Sequence, residues 1–252
     1  MPMRPPSQLL GTWRFQSLVF GLLYAVDRKD RLKVIKGILI RNLIKLPDED
    51  YVLRTPVGTF HCVDAASAYQ FAPNWEVKVK EVIRRYHSGL FVDVGANIGY
   101  YSVMAGRQGN RVMAIEPNSR AYACLADNVV QNINADSSET YRAVAWSHDG
   151  LVRFTEDDYS DTSRVSTKGN RLVRAVSLDS ILHGATPSLI KIDAEGSELQ
   201  VMQGASKTLQ SKRPAVIFES LDVSRLSSSI DYLTGLGYQR FRRLDESNTL
   251  AE

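Results

Sequence analysis

FVDVGANIGYYS, residues 91 to 102, sets the architecture of this chain. An apolar strand carries an acid, Asp93, at its end and then turns through Gly95, Asn97 and Gly99 into a helix. Twenty-one residues after Gly95 a second short apolar run, Val112 to Ile115, ends in another acid, Glu116. Strand, glycine turn, helix, strand and acid, in that order, build a nucleoside pocket in an α/β sheet. The glycines let the backbone approach the ligand, and the second acid accepts hydrogen bonds from the two ribose hydroxyls.

A dinucleotide fold needs G-x-G-x-x-G, because its helix N-terminus must meet a pyrophosphate. The glycines here read Gly95-Ala96-Asn97-Ile98-Gly99, and Asp93 beside the turn would repel that group. An acid at this place favours a ligand with an amine or a positive centre. S-adenosylmethionine has a ribose, an α-amino group, a sulfonium and no phosphate. The plainer alternative is a tight crossover that binds nothing.

These residues resemble the first motif of the class I S-adenosylmethionine-dependent methyltransferases. Further on, Leu189 to Ala205 (LIKIDAEGSELQVMQGA) closely resembles the signature of the FkbM family, a K-I-D-x-E-G-x-E segment followed by a helix with apolar-x-G-A. Val92 to Gly99, Glu116-Pro117-Asn118, Leu178-Asp179-Ser180 and Pro214 to Glu219 stand in the family's order. The resemblance runs from about Trp75 to Arg243; the first seventy residues match poorly. It implies a Rossmann-like fold with a mainly parallel seven-stranded sheet, S-adenosylmethionine as cofactor, and O-methylation of a sugar, glycan or polyketide-type natural product.

At 252 residues the chain can bury one full core, of which a methyltransferase sheet needs about 160 residues. Residues 1–74 are therefore expected to form an N-terminal extension and residues 75–252 the methyltransferase domain. Formal charge is +3, unevenly placed: residues 1–45 hold nine Lys or Arg and two acids, net +7, leaving −4 for the rest. Leu32, Ile35, Leu39, Leu43 and Leu46 make a helical stripe flanked by basic residues. It reads as a docking helix with a solvated basic face, or as a surface for an anionic membrane or lipid-linked substrate. Cys62 and Cys124 lie too far apart for metal-like spacing and read as buried thiols. Residues 9–25 contain no run long and apolar enough for a span, so a cytoplasmic location is expected.

Tyr51–Arg54 and Thr59–Val63 alternate as a hairpin around Pro56-Val57-Gly58. Core strands are expected near 90–94, 111–116, 139–145, 188–193 and 214–219, with helices near 99–107, 118–131, 197–209 and 224–235. That alternation makes a mainly parallel sheet with helices on both faces. Tyr238 to Arg242 would close it as an antiparallel edge. Residues 152–155 and 172–176 suggest an inserted hairpin, and the polar segment 156–170 between them reads as a lid, a substrate contact or disorder.

In an open α/β sheet the ligand lies outside the carboxyl ends of the strands. Asp93, Gly95, Asn97 and Gly99 are assigned to the methionine part of the cofactor and Glu116 to its ribose. Asn118 is a helix N-cap or a further contact. Ala145 and Trp146 stand where adenine is usually met, with the indole as a flat wall or as core. Asp193, ending the fourth strand, is the first candidate for general base; Glu195 and Glu219 are the second. Lys191 would pair with a neighbouring carboxylate and hold its orientation. Glu198 could simply complement its helix dipole. No metal is assigned, although Asp193, Glu195 and Glu219 are hard oxygen donors that could hold a divalent cation. Amino-methyltransferases usually place Asn or Asp before Pro-Pro and an aromatic at the end of the fourth strand. Ile192-Asp193-Ala194-Glu195 stands there instead, and acids around the site suit a hydroxyl better than a phosphate-rich polymer. Nucleic acid is therefore not an expected partner. The rival functions are a nicotinamide-dependent oxidoreductase, disfavoured by the glycine spacing and Asp93, and a non-catalytic nucleoside-binding module.

Overall fold

The computed structural model describes residues 51–63, 66–71, 74–156, 163–220 and 222–252. The basic stripe from Leu32 to Leu46 lies outside them. Among the described residues no helix is long and apolar enough to cross a membrane.

The sheet at the centre has seven strands in the order β12 (Phe241–Arg243), β13 (Asn248–Ala251), β11 (Ala215–Glu219), β10 (Leu189–Ile192), β3 (Leu90–Val94), β4 (Arg111–Ile115) and β5 (Ser138–Tyr141). Its parallel part consists of β3, β4, β5, β10 and β11. Every residue of β3 and β10 is buried, as expected of central strands covered on both faces. Successive side chains leave opposite faces. Phe91, Leu189 and Ile217 join one apolar cluster with α1 (Val77–Ile83) and α2 (Tyr100–Gly106). Val92, Ile190, Val216 and Phe218 join the other, with α4 (Leu178–Leu182), α5 (Glu198–Gly204), α6 (Ser206–Lys212) and α7 (Val223–Gly235). Full burial of each such side chain stabilises the fold by roughly 1.5–3 kcal/mol.

The edge beyond β11 departs from expectation. The strand that runs against the others is β13 (Asn248–Ala251), inserted between β11 and the outermost β12 (Phe241–Arg243). The tail was passed over because Asn248-Thr249-Leu250-Ala251 is too short and polar to announce a strand. The expected strand 139–145 also divides. β5 stays in the main sheet, whereas β6 (Val144–Ala145) pairs with β9 (Arg171–Val176) of a second, four-stranded sheet completed by β7 (Gly150–Thr155) and β8 (Arg164–Val165). The inserted hairpin is β7 with β9, antiparallel over five residue pairs. The expected helix 197–209 breaks at Ala205 into α5 and α6.

The N-terminal hairpin, β1 (Tyr51–Arg54) with β2 (Thr59–Cys62), is fastened to the sheet by α3 (Ser119–Asn132). Asn132 accepts from the Thr59 amide at 2.9 Å and donates to its carbonyl at 2.7 Å; Asn128 does the same with His61, at 2.7 and 2.9 Å. Four helical residues advance about 6 Å and two strand residues about 6.8 Å, so asparagines four apart reach alternate residues of a strand laid alongside. They satisfy a strand edge that would otherwise present free backbone groups. Phe60 also meets Phe71 edge to face at 4.9 Å, and Phe71 meets Tyr100 in the same way at 5.1 Å. Packing is thus continuous across residue 74. Cys62 and Cys124 are both buried.

Candidate active site

A cavity of about 460 Å³ opens at the carboxyl ends of β3, β4, β10 and β11. Its floor is the turn after β3, where Gly95 (φ 72°), Asn97 (φ 51°) and Gly99 (φ 86°) all take left-handed backbone. Only glycine fits at 95: a Cβ there would lie 1.7 Å from the Asp193 carbonyl oxygen. Gly99 has another task. It starts α2 and leaves room for Leu125, whose Cδ1 would be 2.6 Å from a Cβ, and it does not line the cavity.

On the β4 side stands Glu116. Its carboxylate accepts from the Asn97 amide at 2.9 Å and the Asn118 amide at 2.7 Å, one on each oxygen. Each oxygen keeps a lone pair for a further donor. Burial pushes its pKa up to about 7; the two amides oppose the shift, and Asp193 and Asp93 add to it. Asn118 caps α3, accepting from the amides of Arg120 and Ala121, and does not line the cavity. Nor does Trp146, whose carbonyl instead sits so close to α5 that a Cβ on Gly204 would be 1.9 Å from it. The apolar wall beside Glu116 is made by Ile115, Val144, Ala145 and Phe154.

The β10 side carries charge. Lys191, 2% exposed, reaches Asp193 at 2.8 Å and lies 5.0 Å from the ring of Tyr101. Burial pushes its ammonium pKa down, but Asp193, Glu76 and Asp93 together more than reverse this, so it stays charged. Glu219, ending the adjacent strand β11, is pushed up to about 9 by burial and by the neighbouring Asp193, with which it shares a hydrogen bond. Both effects favour the protonated form of Glu219. Asp193, Glu195 and Glu219 converge, with ligand atoms within 4.8 Å of one another. Their charge is already moderated by the Lys191 ammonium, which pairs with Asp193. Glu198 turns back to accept from the amides of Ala194 and Gly196, at 3.2 and 2.9 Å, and so braces the loop that carries Glu195.

Asp93 does not point where its place before the glycine turn suggested. It is 1% exposed, accepts from Ser102 at 2.6 Å, and is the register partner of Lys191 across β3 and β10. The pleat of β3 sends Asp93 and Val94 to opposite faces, so Asp93 enters the layer beneath α2 and Val94 lines the cavity. Burial raises the Asp93 pKa, against the pull of Lys191 and the Ser102 hydroxyl.

Several lining residues escaped the sequence reading. Phe154 had a signal, an aromatic alternating with exposed neighbours in β7. Arg164 and Val165 come from the segment read as a possible lid. Trp75 and Glu76 had none: Glu76 receives the Tyr101 hydroxyl and, at 3.1 Å, the amide of Asn248, 172 residues away.

A profile of the methyltransferase FkbM domain matches residues 93–240. The hexuronic acid methyltransferase AglP of Haloferax volcanii is 28% identical over 144 residues, 54% of this chain and 60% of that protein. A solved methyltransferase FkbM from Methylobacillus flagellatus KT aligns with a TM-score of 0.51 at 21% identity, over 66% of this chain and 44% of that one. At that identity the likeness speaks for the fold, and it agrees with the Rossmann-like seven-stranded sheet. The chain spans less than two thirds of the length of either relative.

Proposed function

We propose a reaction for this chain, which belongs to the FkbM methyltransferase family: transfer of a methyl group from S-adenosylmethionine to a hydroxyl of a sugar or uronic acid. One observation carries the proposal. The cavity couples a carboxylate-and-apolar half, Glu116 with Ala145 and Phe154, to a proton-handling half, Lys191 with Asp193 and Glu219. The donor set fits the cofactor. Glu116 retains acceptor capacity for two ribose hydroxyls, and the apolar wall suits a flat heterocycle. The acids around the cofactor half, Glu116, Asp193 and Glu195, outnumber Lys191 and Arg164 and favour a cationic ligand over a phosphorylated one. The similarity to a hexuronic acid methyltransferase supports a sugar acceptor.

S-adenosylmethionine supplies an electrophilic methyl group on a leaving group that needs no protonation. The protein's part is orientation and removal of one proton. Asp193 accepts the proton of the acceptor hydroxyl. Lys191 and the protonated Glu219 each hold the Asp193 carboxylate and fix its direction, and Glu195 extends the acidic rim on which the acceptor hydroxyls are bound. Calorimetric titration with S-adenosylhomocysteine and, separately, with NADH tests the cofactor. Incubation with S-adenosylmethionine and a panel of glycosides, read as a one-methyl gain in mass, tests the acceptor. Binding of NADH without S-adenosylhomocysteine would reject the proposal.

A further inference from the structure

We infer that Gln70, Trp75 and Glu76 form the acceptor subsite and that they take a pyranose ring; the inference rests on the methyl-transfer reading above. All three line the cavity, and all three precede the region matched by the family profile. Glu76 stands on the proton-handling side. Its Oε1 accepts from Asn248 Nδ2 at 3.1 Å, and Asn248 is the register partner of Glu219 across β13 and β11. Its Oε2 accepts from the hydroxyl of Tyr101, the residue whose ring faces the Lys191 ammonium.

The backbone pays for this placement. Glu76 takes left-handed dihedrals (φ 43°, ψ 45°) that are unfavourable for a residue with a side chain. It occupies the position that starts α1, yet its side chain caps no amide of that helix. The carboxylate is turned to the cavity instead, each oxygen held by one neutral donor and each retaining a lone pair. Beside it, the half-buried indole of Trp75 offers an apolar face and Gln70 offers an amide that both donates and accepts. A pyranose has the matching surface, a rim of hydroxyls around apolar C–H faces. A phosphorylated acceptor would meet repulsion from Glu76, and a hydrocarbon would leave the carboxylate desolvated without donors.

Saturation-transfer NMR with methyl glycosides of hexoses, hexosamines and hexuronic acids, with and without S-adenosylhomocysteine, tests the subsite. The expected result is transfer to the ring protons of at least one glycoside in the wild type. Trp75→Phe should keep it and Trp75→Ala should lose it. Glu76→Gln should weaken binding at least about tenfold, as loss of a hydrogen bond to a charged acceptor does, with S-adenosylhomocysteine affinity unchanged. No transfer to any glycoside in the wild type overturns the inference. So does undiminished binding in both Trp75→Ala and Glu76→Gln. S-adenosylhomocysteine binding is read separately, so its absence rejects the cofactor while the glycoside signals still judge the subsite.

Discussion

Replacing Lys191 with methionine isolates what the buried ammonium does. The methionine chain fills most of the space of the lysine stem, so packing changes little while the charge disappears. Asp193 then loses a partner at 2.8 Å, and Asp93 and Glu76 lose the cation that all three share. Removing one member of a buried pair costs about 3–5 kcal/mol. The Asp193 side chain is 29% exposed, so water compensates in part and the lower end, about 3 kcal/mol, applies. For a domain of this size the melting midpoint should fall by roughly 6–12 °C. The dependence on pH is the sharper signature. The folded-state pKa of Lys191 is raised, so its contribution is fully present below the unfolded value of about 10.4 and is lost as pH climbs through the folded one. In the variant the penalty falls on ionised carboxylates, so acid relieves it. Urea denaturation of both proteins should show a wide gap at about pH 8 that narrows toward about pH 5. A gap below about 1 kcal/mol, or one that does not move with pH, would refute the view that Lys191 neutralises this cluster.

Three further outcomes follow from the same geometry. Asp193→Asn should bind S-adenosylhomocysteine nearly as the wild type does and lose about 10²–10⁴-fold in turnover on an accepted glycoside; unchanged turnover would move the base to Glu195. Glu116→Gln removes a buried acid whose folded pKa is about 7, so the wild type loses stability between about pH 4.5 and 7 that the variant keeps. Measured by denaturation, the difference should shift toward the variant by roughly 3 kcal/mol over that window, while calorimetry shows weaker cofactor binding. Gly95→Ala combines a left-handed φ with a contact to a backbone carbonyl, and should cost at least about 3 kcal/mol and abolish cofactor binding.

How much was legible depended on how local each signal is. The glycine turn, the strand ending in Glu116 and the strand ending in Asp193 announce themselves within a dozen residues each, and all three meet at the cavity. Asp93 illustrates the limit. Its place in the sequence is right for a ligand contact, but the pleat of the strand directs its side chain away from the cavity and makes it a buried neighbour of Lys191. Trp146 and Gly99 likewise carry the right residue types and do not line the cavity; Gly99 instead makes room for Leu125. The strand β13 was missed because burial by β11 and β12, not its own composition, makes it a strand.

The chain's local patterns, read in order, fix an α/β sheet, the glycine bend after its first core strand and the acids at the strand ends, because period-two burial and glycine dihedrals act over a few residues. Which acids share one buried ammonium, which of them burial pushes toward the protonated form, and that Glu76 and Asn248 meet beside Glu219 are settled in three dimensions alone. Those properties arise from desolvation and from contacts between segments as much as 172 residues apart, and neither is encoded in any single window of the chain.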